Sequence, residues 1–407
     1  MSGPLRIATM GCRWEIDISR LDENVAQRLR ELWAHAADHA NGTNDADPAV
    51  DEPPGLRREL VALHTGAAPT LDSGTGIDPE QVIRLARDVQ RAPYAFSSAL
   101  TLCCLRAQSG RMTLLHSAAL SHPESGASVV LVAQSGTGKT TATRLLGQEL
   151  GYLSDETAAI RDDLTLLAHP KPLSLIPESS TPEAGQVKVE QSPVELGLRP
   201  PPPRPWLAAT ILLVRCAAPT EATLEPVALM DALVDVIPQS SALPVQPEAL
   251  HTLARVVTAG TGAFRLRYSE IAQAAPLITG LLEQVRQGQQ RQERWTRHTS
   301  SGVWRTEPWE PSPALTEFDW TPQTRVMRAP WRDALESEGE ILVLNGPNPV
   351  RLLGLGPTVW RVAATPVTLA ELHTAVVAEH GPHPQADDLL RQAVELLAGQ
   401  GLLQLAD

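Results

Sequence analysis

Cysteine is scarce in this sequence and poorly spaced for chemistry. Cys12, Cys103, Cys104 and Cys216 form no Cys-x-x-Cys pair and no metal-like spacing with histidine. That excludes a disulfide framework or a zinc module and fits thiols kept in a reducing compartment. No long Lys/Arg run occurs, and 34 basic residues against 47 acidic ones leave a net charge of −13. Such a chain repels nucleic acid and anionic membranes, so neither is expected as a partner. No apolar stretch approaches a membrane span, and residues 1–9 lack the basic head and apolar run of a signal peptide. The expectation is a soluble, cytoplasmic protein. No internal repeat is visible, and 407 residues exceed one core of typical size, so two or three domains are expected.

The patterning divides the chain into four segments. Residues 1–110 read as an α+β region packing on the segment after it. Alternation over residues 13–18 implies a strand, and Leu21, Val25, Leu29 and Leu32 a helix. Residues 41–54 read as a loose acidic loop. Asp78-Pro79 opens a further helix whose stripe is Val82, Leu85 and Val89. Residues 99–105 suit a buried helix, and a short strand over 112–115 ends at His116. Within 111–286, Ser128 to Val132 and Ile211 to Val214 are apolar, β-branched runs of central strands. The polar stretch from Pro177 to Pro205 reads as a mobile loop or lid. Helical patterns fill 230–237, 248–257 and 271–285, with a strand at 266–268. Residues 287–337 form a linker carrying five of the nine tryptophans, Trp295, Trp304, Trp309, Trp320 and Trp331. So much aromatic surface is expected to pack on a domain. Residues 338–407 read as a hairpin turning at Asn345-Gly346, two helices (368–379 and 386–399) and an apolar tail.

The chemistry sits in Ala133-Gln134-Ser135-Gly136-Thr137-Gly138-Lys139-Thr140-Thr141, after an apolar strand and before a helix expected over 141–150. This is a phosphate-binding loop. Its glycines let successive N–H groups converge on phosphate oxygens, and the helix N-terminus adds a favourable dipole. Lys139 would reach the β- and γ-phosphates of ATP, and the Thr140 hydroxyl would ligate Mg2+. Ala133 replaces the usual first glycine, which is tolerable where the backbone does not need a positive φ. The second strand ends in Arg215-Cys216 and supplies no acid. Asp155 and Glu156, just after the P-loop helix, are the nearer candidates, whereas Asp162-Asp163 suits a solvated turn.

His116, the P-loop and this acidic pair resemble the HPr kinase/phosphorylase superfamily over about 114–175. The match includes Pro170-Lys171-Pro172-Leu173-Ser174-Leu175, a segment common in its peptide-cluster relatives. The resemblance implies an orienting role for His116, Asp155 as base toward a substrate hydroxyl, and Glu156 as the magnesium-side acid. The second acid is usually aspartate, and the downstream motif of the true HPr enzymes is missing, which disfavours HPr as substrate. The C-terminal segment resembles the PqqD-like RiPP recognition element, a winged-helix module, through Ile341-Leu342-Val343-Leu344-Asn345, Leu355-Gly356-Pro357-Thr358-Val359-Trp360 and residues 389–405. That family captures the leader of a ribosomal precursor peptide by strand addition.

The fold expected is therefore α/β: an HPr-kinase-like P-loop domain, an N-terminal α+β region and a C-terminal winged-helix domain. Two functions compete. One is an ATP-dependent kinase acting on a Ser or Thr of a recruited ribosomal peptide. The other is a recognition subunit, similar to those of daptide-type clusters, that presents the peptide to separate modifying enzymes and binds nucleotide for stability or switching. A winged-helix DNA-binding regulator is a third reading, disfavoured by the acidic charge. An oligomer stays open.

Overall fold

The computed structural model describes residues 3–37, 57–66, 78–134, 136–176, 188–298, 320–346 and 349–405. The loose loop at 41–54, Ser135, the first part of the supposed lid (177–187), Trp304 and Trp309 lie outside the described residues. The chain folds as two units. One comprises Met1–Val227, Pro238–Ala242 and Val256–Arg291; the other comprises Ala228–Ile237, Leu243–Arg255 and Gln292–Asp407.

The first unit begins with a four-stranded sheet in the order β1 (Leu5–Thr9), β2 (Cys12–Asp17), β3 (Arg58–His64), β4 (Val82–Leu85). Helices α1 (Glu23–Trp33) and α2 (Ala92–Gln108) share its core through Leu29, Trp33, Phe96 and Leu100. Leu114, Ala159 and Leu167 join the same core, so the N-terminal region and the strands beyond it bury one continuous apolar surface. The helix expected at Asp78 is instead a 3-10 turn over Pro79–Gln81 followed by β4. Val82 and Leu85 have helical spacing, but Ile83 and Leu85 alternate as in a strand, and parallel pairing to β3, Val61 opposite Val82, decides for the strand.

Small strands β5 (Thr113–Leu115), β9 (Ala158–Ile160), β10 (Leu166–Leu167) and β15 (Ser240–Ser241) form a second sheet. The central sheet runs β14 (Thr223–Pro226), β16 (Ala263–Tyr268), β13 (Trp206–Arg215), β7 (Ala127–Val132), β6 (Ser117–Ser121), β8 (Gly151–Ser154). Strands β7, β13 and β16 are parallel. The antiparallel β6 separates β7 from β8, which restores the direction of β8. The carboxyl ends of β7, β8, β13 and β16 therefore lie along one edge, where open α/β sheets bind ligands. Helices α3 (Lys139–Leu146) and α6 (Ile271–Gln284) pack on the sheet through Ala142, Leu146, Ala274 and Ile278. The P-loop helix thus starts two residues earlier than expected and stops at Gly147. A short ribbon of β11 (Leu173–Leu175) and β12 (Val189–Gln191) completes the unit. Its second strand lies within the stretch expected to be a lid. Residues 188–205 are held by backbone bonds, Tyr152 N–H to Arg199 O at 2.9 Å among them.

The second unit holds α4 (Leu229–Val236) and most of α5 (Ala249–Val257). Its main sheet is β17 (Thr296–His298), β19 (Asp333–Ser337), β20 (Glu340–Leu344), β21 (Pro349–Leu352). A smaller sheet is β22 (Val367–Thr368), β18 (Arg325–Arg328), β23 (Leu403–Leu405). The expected linker, 287–337, thus supplies three strands, β17, β18 and β19. Glu338 and Gly339, both at positive φ (51° and 82°), close the β19–β20 hairpin. Helices α7 (Gly356–Val362), α8 (Leu369–His380) and α9 (Ala386–Gly399) come next. Thr368 and Glu371 form a capping box at the start of α8.

Trp360, fully buried, anchors this core. Trp331 meets it edge-on at 5.1 Å, and the Arg328 guanidinium sits 4.3 Å from its ring centroid. Trp360→Ala is expected to cost about 3–5 kcal/mol. Hydrogen exchange should rise across 320–405 while β7 and β13 stay protected. Unchanged exchange in that segment would contradict this packing.

Candidate nucleotide site

Every sequence-selected residue that is described lines one pocket of about 500 Å³ in the first unit, except Thr137. Thr137 stands on the loop itself, its hydroxyl bonded to Gln134 O at 2.9 Å. Strand direction explains the convergence. The P-loop leaves the carboxyl end of β7, the acid pair leaves that of β8, and His116 precedes β6, whose first residue Ser117 faces Val132. His116 therefore lies in a bend between β5 and β6 rather than at the end of a single strand.

Gly136 (φ 84°) and Gly138 (φ 102°) adopt backbone that L side chains disfavour. Ala133 is not at positive φ, so its methyl group is tolerated. The Lys139 ammonium lies over the loop, 2.6 Å from Ala133 O. The Thr140 hydroxyl donates to Asp155 Oδ2 at 3.2 Å. Ser154 Oγ accepts from the backbone N–H groups of Glu156 and Thr157, fixing the turn that presents both acids. Burial lowers the His116 pKa, and Lys139 lowers it further against the opposing pull of Glu156 and Asp155. Its imidazole is therefore neutral at neutral pH.

Sequence alone assigns Lys171 no role in the site. It is buried, with Nζ 3.3 Å from Asp155 Oδ1 and 3.4 Å from Glu156 Oε2. Burial alone would depress its pKa, but Asp155, Glu156 and Glu190 hold it above the ordinary lysine value. Glu190 is itself buried on β12 and accepts from Ser97 and Ser174. The Tyr152 hydroxyl donates to Lys171 O at 2.9 Å and lies 3.2 Å from Asp155 Oδ1. One compositional signal could have found this residue. The chain has three lysines, Lys139, Lys171 and Lys188, and all three line this pocket. Elsewhere every fixed cation is arginine.

The donor set fits magnesium delivered with a nucleotide. Thr140, Asp155 and Glu156 are hard oxygen donors. Among the described residues, however, no group of three His, Cys, Asp or Glu side chains could hold an ion, and Lys171 already neutralises part of the pair. Phosphate oxygens would have to complete the shell.

No family model and no curated protein matches the sequence. Among solved structures, part of the chain is similar to the Hpr(Ser) kinase/phosphatase from Coxiella burnetii. The match is 11% identical, covers 42% of this chain and 93% of that one, and has a TM-score of 0.23. Among the described residues, no helix is long and apolar enough to cross a membrane.

His169, next to Pro170-Lys171, makes acid stability testable. It is buried between Thr9 and Thr101, 2.7 Å and 3.0 Å away. Thr101 gives its proton to Ser97 O, so His169 must carry its own on Nε2 and accept from Thr9 at Nδ1. Burial, then Lys171, lowers its pKa from 6.5 to about 3. The fold refuses a proton that the unfolded chain takes up below pH 6.5. Stability is therefore full above that value and falls with pH by up to about 1.4 kcal/mol per unit. His169→Gln should flatten the denaturation profile between about pH 6.5 and 5. An unchanged slope would refute the assignment.

Proposed function

We propose that the first unit binds Mg-ATP and transfers its γ-phosphoryl group to a Ser or Thr hydroxyl of a ribosomal precursor peptide held by the second unit. The observation carrying the first half is the 3.2 Å contact between Thr140 and Asp155 in the pocket that contains Lys139. It joins the phosphate cradle to a carboxylate able to take a proton.

In this reading Lys139 and the loop N–H groups hold the β- and γ-phosphates. Magnesium, when bound beside Thr140 and Glu156, supplies neutralisation of phosphate charge. Asp155 accepts the hydroxyl proton as the acceptor oxygen bonds to the γ-phosphorus and the bond to the β–γ bridging oxygen breaks, releasing ADP. The neutral His116 and the Lys171 ammonium keep the acid pair in place. Transfer of this kind depends on positioning and charge more than on covalent help.

The second unit supports peptide capture. Among the described residues β21 ends its sheet, leaving an edge for an added strand. Beside it lies a groove of about 550 Å³ between β21 and α9, with Leu353, Leu389 and Leu396 exposed at 55%, 40% and 65%. We read this unit as winged-helix-like and its ligand as an extended leader segment, as the PqqD-like resemblance implies. Lys171 favours one competing reading. Its ammonium, 3.3 Å from Asp155 and 3.4 Å from Glu156, already occupies the acids that transfer would use, which suits a recognition subunit that presents the peptide to separate modifying enzymes.

Intact mass of a candidate precursor peptide, incubated with the protein and Mg-ATP, separates the two. Transfer adds about 80 Da, is lost with Lys139→Ala, and falls about 10²–10⁴-fold with Asp155→Asn, which still binds ATP. Leu396→Glu should weaken peptide capture without altering ATP binding. An unmodified but tightly bound peptide would establish the recognition reading instead.

A further inference from the structure

A triphosphate on the P-loop must send its nucleoside to one side or the other, and the loop separates two cavities. One is the charged pocket of Lys139 and Lys171, whose acid pair must stay open to an acceptor hydroxyl. The other, of about 700 Å³, shares Gly136 with it and is lined by Gly136 and Thr137, then by Arg215–Ala217, Pro219, Ser269, Glu270 and Gln273. We infer that this second cavity is the nucleoside site, an inference that rests on the proposed nucleotide binding.

Sheet topology supports the assignment. Arg215 ends β13 and pairs with Tyr268 at the end of β16, while Leu212 pairs with Val132 at the end of β7. The cavity therefore opens at the carboxyl ends of the three parallel strands, on the side of the P-loop away from β6 and β8. Its walls are built rather than incidental. Cys216 N–H donates to Tyr268 O at 2.7 Å, Arg215 Nε to Ser269 O at 3.4 Å, and Ser269 and Thr220 bond each other twice. Ser269 is thus committed to the wall. The groups left to meet a ligand are the planar Arg215 guanidinium, the Glu270 carboxylate and the Gln273 amide, all exposed. Glu270 precedes α6 without spending its side chain on a cap, and a carboxylate there accepts hydrogen bonds from the vicinal hydroxyls of a ribose. Among the described residues no aromatic ring lines the cavity, so a base stacks on Arg215 and Pro219. Recognition is of a ribonucleoside, with weak discrimination among bases.

Cys216, half-buried in this wall, is a built-in reporter. Cys12 and Cys104 are buried, and half-buried Cys103 on α2 serves as internal control. Alkylation of the full chain by N-ethylmaleimide, mapped by peptide mass, is followed with Mg-ATP, with magnesium tripolyphosphate, and without ligand. At ATP ten times its Kd, Cys216 should react about tenfold slower, with Cys103 unaffected. Tripolyphosphate should leave both rates unchanged. A second measurement avoids dependence on thiol access: Arg215→Ala/Glu270→Gln should bind ATP about tenfold more weakly and tripolyphosphate as the parent does. Bound ATP that leaves Cys216 unprotected and is insensitive to the double substitution would overturn the inference while leaving the nucleotide reading intact. Tripolyphosphate protection equal to that of ATP would overturn it too. Failure of both ATP and tripolyphosphate to bind would instead strike the nucleotide reading, and this inference with it.

Discussion

A lysine ammonium buried between two carboxylates is the constraint around which the site is organised. Asp155 and Lys171 are each about 4% exposed, and their charges are 3.3 Å apart. Removing one partner of such a pair leaves an unpaired charge that costs several kcal/mol, far more than the net value of the pair itself. The surrounding polar groups are correspondingly committed. Tyr152 bridges the Lys171 carbonyl and Asp155, Lys171 Nζ also meets Pro172 O at 3.1 Å, and His169 is locked between two threonines. The chain from β8 through β9 and β10 to β11 thus returns a cation to the acids it has just presented.

The second determinant is strand direction. Because β7, β8, β13 and β16 end at one edge, a loop, an acid pair and a cavity that are distant in sequence become neighbours. The antiparallel β6 contributes by opposite means, since its first residue, not its last, reaches that edge, bringing His116 with it. Gly126 illustrates how tight this arrangement is. Its φ is 73°, and a Cβ there would lie 2.4 Å from Arg204 O, so the turn into β7 and the approach to β13 both require glycine.

Much of this was legible where local chemistry decides structure. The P-loop was readable because glycine spacing, lysine and the preceding apolar run carry their meaning within ten residues, and β7 and β13 were readable because strands buried on both faces are continuously apolar. The spans of α8 and α9 are equally local. Lys171 was not readable, because its partners lie 15 and 16 residues upstream and meet it only through a strand return. Val82-Ile83-Arg84-Leu85 was misread because its apolar spacing fits a helix as well as a strand until β3 is beside it. Strands β18 and β19 escaped notice within the tryptophan-rich stretch because Arg-Val-Met-Arg and Asp-Ala-Leu-Glu-Ser are short. Their burial depends on a core centred on Trp360, which comes later in the chain.

Every step proposed for the first unit requires the P-loop pocket to hold a nucleotide through Lys139. Calorimetric titration of Mg-ATP into the full chain and into Lys139→Ala tests that requirement most directly. The parent protein should bind one equivalent, and the variant should bind about ten- to a hundredfold more weakly, the value of a charge-assisted contact to phosphate. No binding by the parent, or equal binding by both proteins, would contradict it.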